Sequence, residues 1–132
     1  MKNTLTRQGF GLINGLAAQF ILGMAINLFV TFPESGSPRA MWDFTLHNPL
    51  VLAHLAIGTL LVIGAAAMVV RVFRRGVAAW KWPAVSGMIC ILVAWAAGDT
   101  FVTSQADILS YVMSLAFLLA MISYGVGIYR SR

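Results

Sequence analysis

Residues 10–32, FGLINGLAAQFILGMAINLFVTF, form an uncharged stretch that decides the fold class. The stretch is about 23 residues long, and roughly 20 apolar residues are enough for a helix to cross a hydrocarbon core about 30 Å thick. A backbone inside lipid has to satisfy its own hydrogen-bonding groups, and a helix does so within one segment. The stretch therefore predicts a membrane-spanning α-helix.

Small and polar residues recur at every fourth position of this stretch, and we name them the small-residue ridge. Its members are Gly11, Gly15, Gln19, Gly23, Asn27 and Thr31. Residues four apart are neighbours on a helix surface, so these side chains are expected to share one face. Membrane helices approach closely at small residues and hydrogen-bond through polar ones. Gly11, Gly15, Gln19 and Gly23 are therefore predicted to pack against another helix.

Three further apolar spans follow at 50–73, 82–102 and 108–129. Hydrophobic residues make up 60% of the 132-residue chain and charged residues only 10%, whereas about 25% of the residues of a soluble domain are charged. The sequence thus predicts an all-α protein in which residues 1–132 form a single domain, a four-helix transmembrane bundle.

The charges predict the orientation of the bundle. All but one of the nine basic residues fall on one side of the four spans: Lys2, Arg7, Arg71, Arg74, Arg75, Lys81, Arg130 and Arg132. Only Arg39 falls on the other side. By the positive-inside rule both termini are cytoplasmic, and the chain is expected in the inner membrane of a bacterium. Trp80 and Trp82 are predicted to form an aromatic belt at the inner interface.

The basic balance does not indicate nucleic acid as a partner. The net charge is +5, but the basic residues lie at span ends, where topology requires them, and no nucleic-acid-binding motif is present. The expected partners are the lipid bilayer and, as open alternatives, a second copy of the chain or a larger membrane complex.

Each span places one polar group near its outer end: Asn27, His54, Asp99 and Tyr111, with Trp95 one turn below Asp99. An ionisable residue inside a membrane is costly to bury, so His54 is a candidate functional residue. These five residues are predicted to line a shallow ligand-binding pocket, in which Asp99 or Asn27 fixes the His54 tautomer. The alternative is a structural histidine that joins two helices.

The outer connector, PESGSPRAMWDFTLHNP at 33–49, is rich in proline, glycine and serine, which predicts irregular structure. Its second half is too apolar for a free linker, since it contains Met41, Trp42, Phe44 and Leu46. We expect that half to lie on the membrane surface or to fold over the mouth of the bundle.

The sequence predicts no cofactor, no metal site and no catalytic residue. The chain has one cysteine, and it contains neither a metal-ligand spacing nor a nucleophile or phosphate-binding motif. Haem b in a four-helix bundle is held by paired histidines on facing helices. Because His54 is the only histidine within a span, haem b stays open only if two chains share two copies of it.

The motifs NLFVTFP at 27–33, LAHLAIGTLLV at 52–62 and SYVMSLAFLLAMISYG at 110–125 resemble those of small four-span integral membrane proteins of bacteria. The resemblance implies the same layout of spans. Some of those families carry a second histidine near the start of the fourth span, which implies a b-type cytochrome ancestry. Here Tyr111 stands in that region.

Three hypotheses about function follow from the sequence. The favoured one is a non-catalytic membrane subunit or a small-ligand binder that uses the outer polar cluster. A haem-binding or redox protein that uses His54 is the second. The third is a protomer of an oligomeric channel or transporter, because four helices packed alone leave little room for a pore.

Overall fold

The computed structural model describes residues 2–33 and 36–131, and it is helical almost throughout that part. It contains five helices: α1 (Lys2–Phe29), α2 (Pro38–His47), α3 (Pro49–Arg75), α4 (Ala78–Ser104) and α5 (Asp107–Arg130). All except α2 are long and apolar enough to cross a membrane. The all-α prediction and the four long apolar helices are confirmed.

Helix α2 was not predicted, because its sequence reads as a turn-rich connector. Ser37 caps it by accepting a hydrogen bond from the Ala40 amide at 3.3 Å, and Pro38 occupies its first turn. Proline is tolerated there because the first amides of a helix have no intrahelical partner. Between α1 and α3, only residues 30–33, 36, 37 and 48 of the described part are non-helical.

The four long helices form a closed ring in which each contacts two neighbours. Helix α1 contacts α3 and α5, and α4 contacts the same two helices, so α1 and α4 lie on opposite corners. Helix α2 lies against α3 and α4 at the end of the bundle opposite both described termini. The ring therefore has one end that carries α2 and one end that carries the α3–α4 turn.

The half of the bundle next to the α3–α4 turn is filled by side chains, and we call it the filled half. Its largest fully buried side chains are Trp80 and Tyr124. Trp80 fits between α1 and α5 because both present glycine: a Cβ at Gly9 would lie 2.7 Å from the indole, and one at Gly127 would overlap it. The Tyr124 ring lies in the same way against Gly87.

The prediction that Trp80 belongs to an outward-facing aromatic belt is therefore wrong. Trp80 has no exposed surface, whereas Trp82 is 78% exposed. Two residues along a helix are about 200° apart, so only one of the two indoles can point outward. The two facing glycines make room for Trp80 inside the bundle.

The small-residue ridge contacts α3 over its middle part only. A Cβ at Gly15 would lie 2.8 Å from Leu61, and one at Gly23 would lie 3.4 Å from His54. Gly11 has open space beside it among the described residues, contrary to its predicted packing role. Four residues turn a helix by about 400°, so the ridge drifts by about 40° per step and its ends leave the interface.

Candidate ligand-binding cavity

The half of the bundle next to α2 contains a partly open cavity of about 440 Å³. All four long helices line it. Its floor consists of Leu16, Leu61 and Ile91, and these three side chains are buried. Below them the filled half begins. The cavity is therefore closed at the end nearer to the termini.

Helix α2 and the residue Phe32 cover the other end of the cavity, and we call them the roof. Trp42, Thr45 and Phe32 line the cavity from above. The Phe32 ring packs against Phe44 at 5.5 Å and against Phe101 at 5.7 Å between centroids. The apolar half of the connector thus folds over the mouth of the bundle, one of the two predicted arrangements.

Gln105, in the α4–α5 turn, fastens the roof. Its backbone adopts a left-handed conformation with φ 50°. Its side-chain amide donates to the Pro33 carbonyl at 3.1 Å and to the Met41 sulfur at 3.3 Å. One side chain therefore ties both the residues before α2 and α2 itself to the far side of the ring.

The structure brings four of the five predicted site residues to this cavity. Asn27, His54, Trp95 and Asp99 line it from α1, α3 and α4. Tyr111 is 60% exposed and lies outside the lining. Helix α5 presents Ser110 instead, because adjacent residues point about 100° apart around a helix. The role of these residues in ligand binding stays a prediction.

A hydrogen bond to the backbone of His54 joins α3 to α1. The Gln19 side-chain amide donates to the His54 carbonyl at 2.9 Å. A Cβ at Gly58 would lie 3.0 Å from the Gln19 amide nitrogen, so this glycine makes room for Gln19. Gly23, in turn, lies beside the imidazole ring of His54. The two glycines thus allow a polar crossing between closely packed helices.

Two buried polar atoms at this crossing have no hydrogen-bond partner among the described residues: Gln19 Oε1 and His54 Nδ1. A buried polar atom without a partner costs about 1–3 kcal/mol, so a polar group bound beside either atom would reduce that cost. The expected pairing of the imidazole with Asp99 or Asn27 is absent from the described part of the chain.

Gln19 lines the cavity, although its place in the small-residue ridge predicts only a packing role. The side-chain amide nitrogen of Gln19 bonds to α3, whereas its amide oxygen has no partner among residues 2–33 and 36–131. A glutamine inside an apolar span is the signal that could have identified it, since such groups are costly to bury in lipid.

Different contacts bridge the helices on the two sides of the cavity. Between α3 and α4, the Trp95 indole donates to the Thr59 hydroxyl at 3.4 Å. Between α1 and α5, Phe20 and Phe117 stack with centroids 5.4 Å apart. All four side chains line the cavity.

The second histidine lies outside the cavity. His47, on α2, is exposed and accompanies Asp43, with its Nδ1 2.8 Å from the Asp43 carbonyl oxygen. Across residues 2–33 and 36–131, no three His, Cys, Asp or Glu side chains gather into a group that could hold a metal ion. One chain therefore offers the cavity a single imidazole.

Comparisons with known proteins found no match: no family model, no curated protein and no solved structure matches the chain.

Proposed function

We propose that the chain is a non-catalytic, four-span protein of the bacterial inner membrane that binds a small ligand in the cavity beneath α2. The ligand has an apolar body and a head that hydrogen-bonds to His54 and Gln19. The observation that carries the proposal is the pair of buried atoms, Gln19 Oε1 and His54 Nδ1, which have no partner in the described part of the chain. Both residues line a cavity of about 440 Å³.

The chemistry of the lining supports this class of ligand. Small-molecule sites are typically apolar pockets of about 300–1,000 Å³ with a few converging polar groups that fix orientation. Here Leu16, Leu61 and Ile91 form the apolar floor, and Asn27 and Asp99 lie nearer to the roof. A ligand with polarity at one end matches this arrangement.

The filled half supports a binder over a pore within one bundle. Trp80 and Tyr124 have no exposed surface and occupy the space between the helices on the cytoplasmic side of the proposed topology. A permeating solute would have to displace both side chains. The channel alternative therefore needs an interface between several copies of the chain.

The haem alternative rests on His54 and keeps its own test. One imidazole per chain means that axial ligation by two histidines would need two copies of the chain. Purified protein with a stoichiometric Soret band would favour this alternative over the small-ligand binder.

His54→Leu is expected to weaken ligand binding about tenfold, because it removes one hydrogen bond between neutral groups from a buried site. The probes are bromine-tagged dodecyl chains with an alcohol, amine or carboxylate head, added to protein in phosphatidylcholine nanodiscs. Bromine quenches indole fluorescence on contact, and Trp42 and Trp95 line the cavity.

The matched control is His47→Leu, since His47 is exposed on α2 and absent from the lining. It should leave the quenching curve unchanged. Quenching by all three probes that rises without saturation, as simple partition into lipid would give, contradicts the proposed function.

The orientation is tested with reporter fusions. After Arg132, a reporter that works only in the cytoplasm should be active. At Ser37, a reporter that works only in the periplasm should be active. The reason is that the basic residues flank the span ends on the side of the termini. Arg132 lies outside the described residues, but a fusion reads only the side of the membrane. A periplasmic C-terminus would overturn the topology.

A further inference from the structure

We propose that the cavity takes up a single-chain amphiphile directly from the outer leaflet, through the gap between α1 and α5. The amphiphile enters with its head toward α2 and its tail toward the floor, and its head donates hydrogen bonds and is not an anion. This inference rests on the proposed function, since it names the class of ligand and the route to the same cavity.

The roof is fixed at both ends, which disfavours entry of a ligand from the α2 end of the bundle. At one end Asn48 joins α2 directly to α3: its amide donates to the Phe44 carbonyl at 3.0 Å. Its side-chain oxygen accepts from the Leu50 and Val51 amides at 3.1 and 3.2 Å. At the other end Gln105 holds the roof to the α4–α5 turn. Lifting the roof away from the α4–α5 turn would break both Gln105 bonds.

The stacked rings of Phe20 and Phe117 bridge the gap between α1 and α5 at the level of the cavity, and we call this gap the α1–α5 seam. Phe20, Met24 and Phe117 line the cavity along it. Phe20 is also 48% exposed. Phenyl rings form no conventional hydrogen bonds, so a rotation of either stacked ring breaks none.

The seam lies at the depth of lipid rather than of water. Phe20 is nine residues from the end of α1, which corresponds to about 14 Å along the helix axis. Phe117 is ten residues from the start of α5, or about 15 Å. In a hydrocarbon core about 30 Å thick these rings lie near the midplane. A molecule that passes between them comes from the bilayer.

The opposite side of the cavity is a weaker candidate for the passage. There the Trp95 indole donates to the Thr59 hydroxyl. Separating α3 from α4 would break this hydrogen bond in lipid, which costs more than separating two rings. The contact chemistry therefore selects the α1–α5 seam.

Polarity along the cavity matches that of an outer-leaflet amphiphile. Asn27 and Asp99 lie two and five residues from the α2 end of their helices, or about 3 and 8 Å below it. The floor residues Leu16 and Ile91 are 13 residues below the same helix ends, or about 20 Å. A head near Asp99 and a tail against the floor keep the orientation that the molecule has in the leaflet.

The head is selected by charge. Asp99 lines the cavity, and in the described part of the chain it has no salt-bridge partner. Neither lysine nor arginine is among the lining residues that the structure describes. A carboxylate or phosphate head would face Asp99 without a compensating cation, whereas an ammonium or hydroxyl head near the α2 end of the cavity can donate to Asp99.

The test measures association in nanodiscs by stopped-flow quenching of tryptophan fluorescence with the bromododecyl probes. Phe117→Leu removes the ring stack but keeps an apolar side chain, and it should raise the association rate constant about threefold or more, since it loosens the gate. Phe20→Leu repeats the test from α1. The matched control is Leu118→Ala, a change at the exposed neighbour of Phe117, which should leave the rate constant unchanged.

The competing route is tested with Gln105→Gly. Glycine accepts the positive φ of this position and removes both side-chain bonds to the roof. An accelerated association with Gln105→Gly and an unchanged one with Phe117→Leu and Phe20→Leu would overturn uptake through the seam.

The head class has its own outcome. Bromododecylamine and bromododecanol are expected to bind at least about tenfold more tightly than bromododecanoate, and Asp99→Asn should reduce the preference for the amine. Carboxylate binding as tight as that of the amine would overturn the head assignment. If the probes bind saturably but the entry route or the head preference is not as expected, the proposed function stands and only this inference fails. If no probe binds saturably, both the proposed function and this inference fail.

Discussion

Gly127→Ala is expected to destabilise the bundle by about 1–3 kcal/mol, the usual cost of forcing extra volume into a packed core. An added methyl group at this position would overlap the six-membered ring of Trp80. Trp80 cannot retreat, because it is fully buried and also meets Gly9 on α1. The indole or α5 itself would have to shift.

Gly125→Ala is the matched control, since it lies two residues away on the same helix. No described atom lies within 4 Å of a Cβ built at Gly125, so alanine should be neutral or should stabilise the helix by up to about 1 kcal/mol. Thermal unfolding followed by circular dichroism in one detergent compares the two variants. Equal midpoints would show that the contact between Trp80 and α5 does not restrict this position.

Ala94→Phe is expected to abolish ligand binding while the bundle stays folded. Ala94 lies on α4 and lines the cavity. A phenyl group added there would occupy part of the space of about 440 Å³ that the apolar body of the ligand needs. We expect the affinity for every bromododecyl probe, measured by saturable quenching, to fall by at least about a hundredfold, which corresponds to the loss of about 2.7 kcal/mol.

The control for the added ring is Ala96→Phe. Ala96 is exposed and belongs to the same helix, but it is not among the lining residues. The Ala96→Phe variant should bind the probes as the unmodified protein does. Unchanged affinity in Ala94→Phe, together with normal circular dichroism, would place the ligand outside this cavity.

The sequence predicted the long helices well because their signal is a bulk property. The uncharged stretch at 10–32 needs only its length and composition to indicate a span. The boundaries differ from the predicted ones: the apolar stretch runs to Phe32, whereas α1 ends at Phe29. The sequence does not predict helix α2, because its capping serine and its proline are also typical of loops.

The contents of the site could be predicted only in part. Depth along a helix follows from residue number, so the sequence alone places Asn27, His54 and Asp99 at a similar level. The direction of a side chain depends on how the helix is rotated against its neighbours, and one residue changes it by about 100°. The sequence therefore favours Tyr111 where Ser110 lines the cavity, and it does not reveal that Trp80 is buried.

The contrast between the filled half and the cavity half also has a thermodynamic consequence. Local opening of a protein costs least where apolar contacts are fewest, so the two halves are expected to form cooperative units of unequal stability. A ligand in the cavity adds its binding free energy to the weaker unit, about 2.7 kcal/mol when it is present at a hundredfold its Kd. The residues around Trp80 would then serve as the permanent scaffold, and the supply of ligand would set how rigid the rest of the bundle is.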